Sequence, residues 1–333
     1  MLTTGIYEQL ITELLYKELD KHSEKFYIGN QELQKADAAV YLARFLSSIL
    51  FRVLDSLPDG DDRIQQQIKL CNALVKWLAE YLKEEEISEN LIETRGMLFT
   101  AFFSKENPIE SDLHKYIARI TPQTGLSQSE LFTGSNAGLS LESELKKEIL
   151  SSDEIWWLVS FIKWTGIRVF TDELNSFARS GKKIKVITTS YMGATDVEAV
   201  DFLASLPNAE VKLNYNISHE RLHAKSYIFR RYNGFDTGYI GSSNISRSAL
   251  TSGLEWNLKV TSQEIPHILS KFKSTFETYW ASPEFEIYNY GDAEHRKRLR
   301  QSIKLARGDS TEELPLFFDI EPHVYQKQIL EKL

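Results

Sequence analysis

Apolar side chains recur with a helical period along the first part of the chain. One such series begins at Ile6, and a second extends from Ala39 to Leu54. Apolar residues spaced three and four apart lie on one face of an α-helix. The segment Thr121–Ala137 is rich in Thr, Ser and Gly and predicts a linker. We therefore predict an all-α N-terminal domain over residues 1–130.

The pattern changes from Leu139 onward, where apolar runs of strand length alternate with amphipathic helical segments. EIWWLVSFI and KIKVITTS are two of the strands, and both tryptophans of the first are expected in the core. Alternation of this kind predicts an α/β domain, here over residues 131–290. Because loops after strands often line the cleft of an α/β protein, Ser160–Trp164 and Thr188–Ala194 are expected near the substrate.

Polar residues of catalytic type are concentrated in the later strands of this domain. His223 and Lys225 lie two positions apart, so an alternating strand would place them on one face. A neutral imidazole can attack phosphorus, and a second acidic group must protonate the departing alkoxide. Lys225, the Asn244 amide and the Ser242 hydroxyl could stabilise the negative charge that gathers on the nonbridging oxygens. Glu255 could orient the imidazole.

The order of these residues resembles a known family. His223-Ala-Lys225 followed by Gly241-Ser242-Ser243-Asn244 resembles the HxK and GSxN motif of the phospholipase D superfamily. The resemblance implies a phospholipase-D-like fold with a mixed sheet flanked by helices. It also implies hydrolysis of phosphodiester bonds through a phosphohistidine, with no metal ion required.

One position departs from the common family pattern. The aspartate expected five residues after the lysine is replaced by Arg230, and Asp236 falls later, in a predicted turn. Glu255 then becomes the expected orienting carboxylate, as in the nuclease and restriction-endonuclease branch of the family. That branch implies a nucleic-acid substrate, expected to be DNA, with Ser243 and Arg247 joining Ser242 in substrate binding.

The chain carries only one complete motif, whereas family enzymes use two copies to supply two histidines. His295-Arg-Lys297 matches His-x-Lys, but it lies in a predicted helix and no GSxN run follows it. A homodimer that contributes one His223 from each subunit would complete the site. Which His223 acts as the nucleophile is left open.

The last segment, residues 291–333, is expected to be a basic linker that leads into another domain. Tyr325-Gln326 and the apolar helix pattern after them resemble the region that precedes the motor of superfamily 2 helicases. The ATP-binding GK[ST] motif is absent from the sequence, so ATP would matter only if a helicase domain lies beyond residue 333. Such nuclease–helicase fusions imply a role in bacterial defence or DNA processing.

Composition adds limits on where the protein acts. The 333 residues are 42% hydrophobic and 26% charged, which is ordinary for globular domains. A single cysteine excludes an intrachain disulfide, and no segment approaches the roughly 18 apolar residues that a membrane span needs. We therefore expect a cytoplasmic protein that does not insert into membranes.

The net charge of -8 does not exclude DNA binding, because the excess of acidic residues is unevenly distributed: residues 1–130 carry 21 acidic and 14 basic side chains.

Three hypotheses for the function remain. The first is a metal-independent nuclease, the second a module that positions DNA for a helicase without cutting it, and the third a phospholipid phosphodiesterase.

Overall fold

The computed structural model divides the chain into two compact units, Met1–Ala101 and Phe102–Leu333. The structure describes residues 3–104, 112–134, 139–216, 222–251 and 255–308.

The first unit is helical, as the sequence predicts. Thr12 begins the first helix, because its hydroxyl accepts a hydrogen bond from the Leu15 amide and so satisfies a free backbone donor. The turn at Pro58–Gly60 separates the second helix from the third, and Lys83 ends the third in a left-handed conformation. The helices are α1 Glu13–His22, α2 Ala38–Asp55, α3 Arg63–Leu82 and α4 Glu85–Ser88.

The second unit is a mixed sheet flanked by helices, which confirms the predicted α/β architecture. Its helices are α5 Leu113–Ile120, α6 Leu141–Ser151, α7 Trp164–Ile167, α8 Thr171–Arg179, α9 Val197–Ser205, α10 Arg247–Thr251, α11 Pro266–Ala281 and α12 Ala293–Arg307. Its strands are β1 Glu130–Phe132, β2 Glu154–Val159, β3 Lys183–Thr189, β4 Ala209–Asn214, β5 Lys225–Arg230, β6 Thr237–Gly241, β7 Asn257–Thr261 and β8 Glu286–Tyr288. The strand order is β1-β7-β6-β5-β2-β3-β4-β8. Strands β2, β3 and β4 run parallel to one another, and the other pairings are antiparallel.

Both faces of the sheet carry a hydrophobic layer. Trp157 and Tyr227 belong to the larger layer, which α6, α8, α9 and α12 cover. Trp156 and Ile228 point to the opposite face, where Trp156 stacks on Phe276 of α11 at a ring separation of 5.1 Å. Adjacent strand residues face opposite sides of the sheet, and helices cover both sides, so both tryptophans are buried. This confirms their predicted place in the core.

A buried ionic network joins α6 to the motif strands. Glu148 accepts hydrogen bonds from Arg231 at 2.5 Å and from Tyr239 at 2.7 Å. The Lys259 ammonium lies 3.1 Å from Glu148 and 3.0 Å from Glu144. Burial alone would raise the pKa of Glu148, but the positive charges of Arg231 and Lys259 outweigh it and lower that pKa to about 2. The network therefore holds β6 and β7, which frame the candidate site, against α6.

The structure places the limits of the α/β unit differently from the sequence prediction. Within the predicted linker Thr121–Ala137, residues Glu130–Phe132 form the edge strand β1, which pairs with β7. The basic run after residue 291 forms α12, whose buried Leu299 and Ile303 pack into the core of the unit. Neither segment is a free linker, because apolar side chains or backbone hydrogen bonds attach each to the sheet. The predicted start of a helicase lies outside the described residues.

Candidate functional site

The motif residues meet at one end of the sheet. Ser226 of β5 is opposite Ile240 of β6, so the antiparallel register brings the start of β5 beside the end of β6. His223 and Lys225 lie at the first end, and the Gly241–Asn244 run begins at the second. The close approach of β7 requires glycine at position 241, since a Cβ there would collide with the Trp256 carbonyl.

His223 and Lys225 are in direct contact. The Lys225 Nζ lies 3.0 Å from His223 Nε2 and 3.1 Å from Nδ1, and it donates to the His223 carbonyl at 3.0 Å. Lys225 is buried, whereas the imidazole is exposed. Burial lowers the pKa of the Lys225 ammonium, and the negative charge of Glu255 opposes that effect. The predicted pairing of an imidazole with a cation is thus present in the fold.

Ser243 faces the protein interior. Its hydroxyl accepts a hydrogen bond from Asn257 Nδ2 at 2.7 Å and donates to the Ala249 carbonyl at 3.3 Å. The Tyr227 hydroxyl donates to the Ser243 carbonyl at 2.7 Å. These bonds fix the turn that presents Asn244, so Ser243 shapes the site from beneath rather than from its surface.

The loop after β2 supports Asn244 from the other side. The Phe161 amide donates to Asn244 Oδ1 at 3.3 Å, and the Lys163 amide donates to the Ile245 carbonyl at 2.8 Å. Since the amide oxygen of Asn244 is engaged, its NH2 group is the end that can donate to a bound anion. Gly166 allows this packing, because a Cβ there would lie 2.5 Å from the Ile245 carbonyl carbon.

Asn244 and Glu255 share a cleft of about 430 Å³, lined by Phe161, Lys163, Thr165, Asn244, Ser246, Ser248, Ala249 and Glu255. Of the predicted loop Ser160–Trp164, Phe161 and Lys163 line this cleft. Lys163 was not itself a predicted site residue. Its ammonium lies 3.2 Å from Asp196, and the other oxygen of that carboxylate accepts the Trp164 amide. The sequence signal for Lys163 was its place in the loop that follows a predicted strand. That signal is weak, because lysine is also common in surface loops without a functional role.

The second predicted loop, Thr188–Ala194, contacts α12 instead. Ser190 and Ser302 are hydrogen bonded at 2.6 Å, and Arg307 Nε donates to the Gly193 carbonyl at 2.9 Å. Arg307 and its neighbours on α12 thus hold the fold together, and this loop is absent from the lining of the described cleft.

The remaining predicted residues lie at the rim. Ser242 is exposed and pairs with Trp256, donating its amide to the Trp256 carbonyl at 3.0 Å and accepting the Trp256 amide on its hydroxyl at 3.1 Å. Arg247 is exposed at the first position of α10. Glu255 precedes β7 by two residues rather than lying within that strand, because the ladder begins only at Asn257.

The two motif departures lie away from this end of the sheet. Arg230 ends β5, where it pairs with Glu154 at 3.4 Å and stacks over Trp156. Asp236 accepts the Arg231 amide at 2.7 Å and pairs with Lys273 at 2.9 Å. Strand β5 runs over six residues from Lys225 to Arg230, a length of roughly 17 Å. Asp236 lies at the Arg230 end of this strand, because Thr237 pairs with Phe229, and therefore cannot orient His223.

The second His-x-Lys match has a structural role. His295 lies on α12, and its Nδ1 accepts the Asn289 amide at 3.0 Å. Across the described ranges, no group of three or more His, Cys, Asp or Glu side chains is arranged to hold a metal ion. In the same ranges no helix is both long and apolar enough to cross a bilayer.

Comparison with known proteins identifies the α/β region. Residues 145–280 match the family model described as "Cardiolipin synthase, PLD-like domain". The chain thus contains a phospholipase-D-like domain, which confirms the expected fold. No curated protein matches the chain at the level of sequence.

The solved structures to which the chain is similar include NucT from Helicobacter pylori, with 20% identity and a TM-score of 0.35. That match covers 46% of this chain and 96% of NucT. Nuc from Salmonella typhimurium, a phospholipase D family member, has 17% identity and a TM-score of 0.38, and the match covers 49% of this chain and 99% of Nuc. Phosphatidylserine synthase from Haemophilus influenzae has 10% identity, a TM-score of 0.37 and coverage of 55% and 46% respectively.

Proposed function

Given a phospholipase-D-like domain in residues 145–280, we propose that this protein hydrolyses nucleic-acid phosphodiester bonds without a metal cofactor and through a covalent phosphohistidine at His223. The observation that carries the proposal is the convergence at one sheet end of an exposed imidazole, a buried ammonium 3.0 Å from it, and a cleft that Asn244 and Glu255 share. This set supplies a nucleophile and donors for the phosphoryl oxygens.

The reaction has two displacement steps. In the first, a ring nitrogen of His223 attacks phosphorus, an N–P bond forms, and the P–O bond to the leaving alkoxide breaks while a second histidine protonates that oxygen. In the second, the same histidine deprotonates water, which attacks phosphorus and breaks the N–P bond. The products are a phosphomonoester end and a free hydroxyl, and both histidines return to their starting states.

The other site residues stabilise the charge that develops on phosphorus oxygens. Lys225 and the NH2 group of Asn244 donate to these oxygens, and removal of one such donor costs about 2.7 to 4 kcal/mol in other enzymes. The ammonium of Lys225 lies against the imidazole, so a bound phosphate would draw it away and expose the ring nitrogen for attack. Ser242 and Arg247 contact the flanking phosphates from the rim.

Glu255 balances the charge of the site. Its carboxylate acts electrostatically on Lys225, and in the proposed reaction it stabilises the charged form of an imidazole. Ser243, a predicted substrate ligand, instead acts as a positioning residue through Tyr227 and Asn257.

Each chain supplies one described histidine of this kind, whereas the reaction needs two. We propose that a second copy of the chain contributes the general acid, so that a homodimer forms the complete site. The assignment of DNA as the substrate depends on the resemblance to the nuclease branch with Glu255, and a downstream helicase, a role in defence and a cytoplasmic location remain parts of the same proposal.

The direct test is cleavage of single- and double-stranded DNA, RNA and phospholipid vesicles in the presence of EDTA. Wild type is compared with His223→Ala and with the matched control His295→Ala, which removes the other His-x-Lys histidine. We expect wild type and His295→Ala to cleave DNA in EDTA. The cleavage rate of His223→Ala should be lower by on the order of 1,000-fold or more, as when one member of a catalytic set that acts as a unit is removed.

Reactions with labelled DNA that are quenched in alkaline detergent test the intermediate separately, because the N–P bond of phosphohistidine is hydrolysed in acid and survives in alkali. The label should remain on wild type and His295→Ala but not on His223→Ala. Loss of activity in EDTA would contradict the mechanism. DNA binding without cleavage by any form would favour the positioning module, and turnover of vesicles alone would favour a lipid substrate.

A further inference from the structure

Helix α12 carries an exposed row of positive charge. It has six Lys and Arg residues and a single acidic residue, in a chain whose net charge is -8. Lys297, Arg300, Lys304 and Arg307 are exposed, and their spacing of three, four and three residues places them on one face of the helix. We call these four residues the α12 stripe.

The fold does not neutralise the middle of the stripe. Arg296 and Arg298, which lie off the stripe, form ion pairs with acidic side chains of the domain. Arg300 and Lys304, in contrast, make no side-chain hydrogen bond or ion pair within the part of the chain that the structure describes. Like charges four residues apart repel one another on a helix, so a bound anion would relieve this repulsion.

The stripe ends beside a loop that adjoins the candidate site. Strands β2 and β3 are parallel, so the loops that follow them lie at the same end of the sheet. Arg307 donates its Nε to the Gly193 carbonyl in the loop after β3, and its terminal amino groups remain for a ligand. Asp196, three residues after Gly193, holds the ammonium of the cleft residue Lys163 at 3.2 Å. Three residues span at most roughly 11 Å, so the stripe leads toward the cleft.

Helix α12 also lies on the same side of the sheet as the motif cation. Lys225 and Tyr227 are two residues apart on β5 and share a face, and Tyr227 belongs to the hydrophobic layer that Leu299 and Ile303 of α12 enter. From Lys297 to Arg307 the helix rises by roughly 15 Å. This length matches about four nucleotides of one strand at the duplex spacing of 3.4 Å.

From this geometry we infer that the α12 stripe binds the phosphates of a nucleic-acid strand whose scissile bond lies in the cleft. The inference rests on the proposed function, because the strand it binds is the proposed substrate. Cations that contact successive phosphates release condensed counterions, and an arginine can bind one phosphate with two hydrogen bonds. The helix lies outside residues 145–280, so the match to the family model assigns it no role.

A nucleic-acid strand fits the stripe better than a membrane surface does. An interfacial helix inserts an apolar face into the lipid boundary. The apolar face of α12, which carries Leu299 and Ile303, is instead buried in the core of the domain. The exposed face offers charge alone, which is the requirement for contact with a phosphate backbone.

The test is binding of a fluorescent single-stranded oligonucleotide over a series of salt concentrations. The stripe variant, Arg300→Gln with Lys304→Gln, is compared with a control variant, Arg179→Gln with Lys183→Gln. Arg179 and Lys183 are also exposed and without an ion pair among the described residues, but Lys183 begins β3 at the end of the sheet away from the cleft. All proteins in the binding assay carry His223→Ala, and thermal melting checks that each is folded.

We expect the control variant to bind like its parent and the stripe variant to bind more weakly. The logarithm of the binding constant changes by roughly 0.7 per phosphate contact for each tenfold change in salt, so the loss of two contacts should lower the slope by about 1.4. Relative to binding in 1 M salt, this corresponds to binding that is weaker by roughly 25-fold in 0.1 M salt. Equal affinities and slopes in the two variants would overturn the inference.

Cleavage with His223 restored separates strand binding from the chemistry. On a long strand, the stripe variant should have a higher KM and an unchanged kcat, because its side chains do not touch the reacting phosphate. On bis(4-nitrophenyl) phosphate, which has no flanking phosphates, it should match wild type. An equal loss on both substrates would show that the change disturbs the site itself, and would overturn the role of the stripe as a strand-binding surface.

Two further results separate this inference from the proposed function. Failure of wild type to cleave, with oligonucleotide binding still weakened only in the stripe variant, would reject the nuclease and retain the strand-binding surface. Unchanged oligonucleotide binding, with loss of binding to phosphatidylglycerol vesicles, would identify the stripe as a membrane contact and would overturn the inference.

Discussion

Replacing Lys259 by methionine tests whether the buried network stabilises the motif strands. Lys259 is fully buried and its ammonium lies 3.0 Å from Glu144 and 3.1 Å from Glu148, so the change leaves two buried carboxylates with Arg231 as the one described cation between them. Removing one partner of a buried ion pair costs about 3 to 5 kcal/mol, because the other charge stays desolvated.

The electrostatic strength of the network supports this magnitude. The pKa of Glu148 is about 2 instead of 4.5, a difference that corresponds to about 3 kcal/mol of preferential stabilisation of the ionised carboxylate. We therefore expect Lys259→Met to lower the free energy of unfolding by about 3 to 5 kcal/mol. Adding Glu144→Gln should recover about 2 kcal/mol, because it removes the carboxylate whose ion pair was with Lys259, whereas Glu148 keeps its pair with Arg231.

Equilibrium urea unfolding at pH 7, followed by tryptophan fluorescence, measures these differences. Lys273→Met is the matched control, since its ion pair with Asp236 is partly exposed and its loss should cost about 1 kcal/mol or less. The reasoning would be refuted if Lys259→Met were within about 1 kcal/mol of wild type, or if the double variant were no more stable than the single one.

Three other predictions follow from the same contacts. The pKa of Glu148 is lower in the folded than in the unfolded protein, so the carboxylate stabilises the fold above about pH 4.5, and this stabilisation is lost as the pH falls toward 2. Urea titrations at pH 5, 4 and 3 should show a falling free energy of unfolding, and Glu148→Gln should lack this pH dependence. Tyr227→Phe removes the buried hydrogen bond to the GSSN turn and should cost about 1 to 2 kcal/mol while lowering kcat more than it raises KM; unchanged unfolding and kinetics would argue against this support. Gly166→Ala should displace that turn, cost about 1 to 3 kcal/mol and reduce cleavage, whereas Gly29→Ala, with no neighbour within 4 Å, should have little effect in the same melting and cleavage assays.

The sequence by itself determined the element types and the identity of the motif. The 3.6-residue period predicts the long helices α2 and α3, because it matches the geometry of a helix, and apolar runs of strand length predict β2 and β3. The spacing of His223 and Lys225 likewise predicts their shared face, since strand alternation is a local property. Arg230 in place of an aspartate, visible in the sequence alone, already directed attention to Glu255.

Tertiary structure decided the features that depend on contacts between distant residues. Residues 130–132 lie within a segment rich in Thr, Ser and Gly, and they form a strand because β7 offers them hydrogen bonds. The basic α12 belongs to the domain because Leu299 and Ile303 pack into its core. Lys163 reaches the cleft through the pairing of its loop with Ile245, some eighty residues away in sequence.

An exposed apolar row on the α11 face of the sheet has the same origin. Ile240, Leu258 and Leu131 are ordinary strand residues in the sequence, and nothing local distinguishes them from the buried Val260. Only the strand order aligns them in one row, and only the path of α11 leaves that row uncovered. Local patterns specify which face a side chain takes, whereas long-range packing specifies what covers that face.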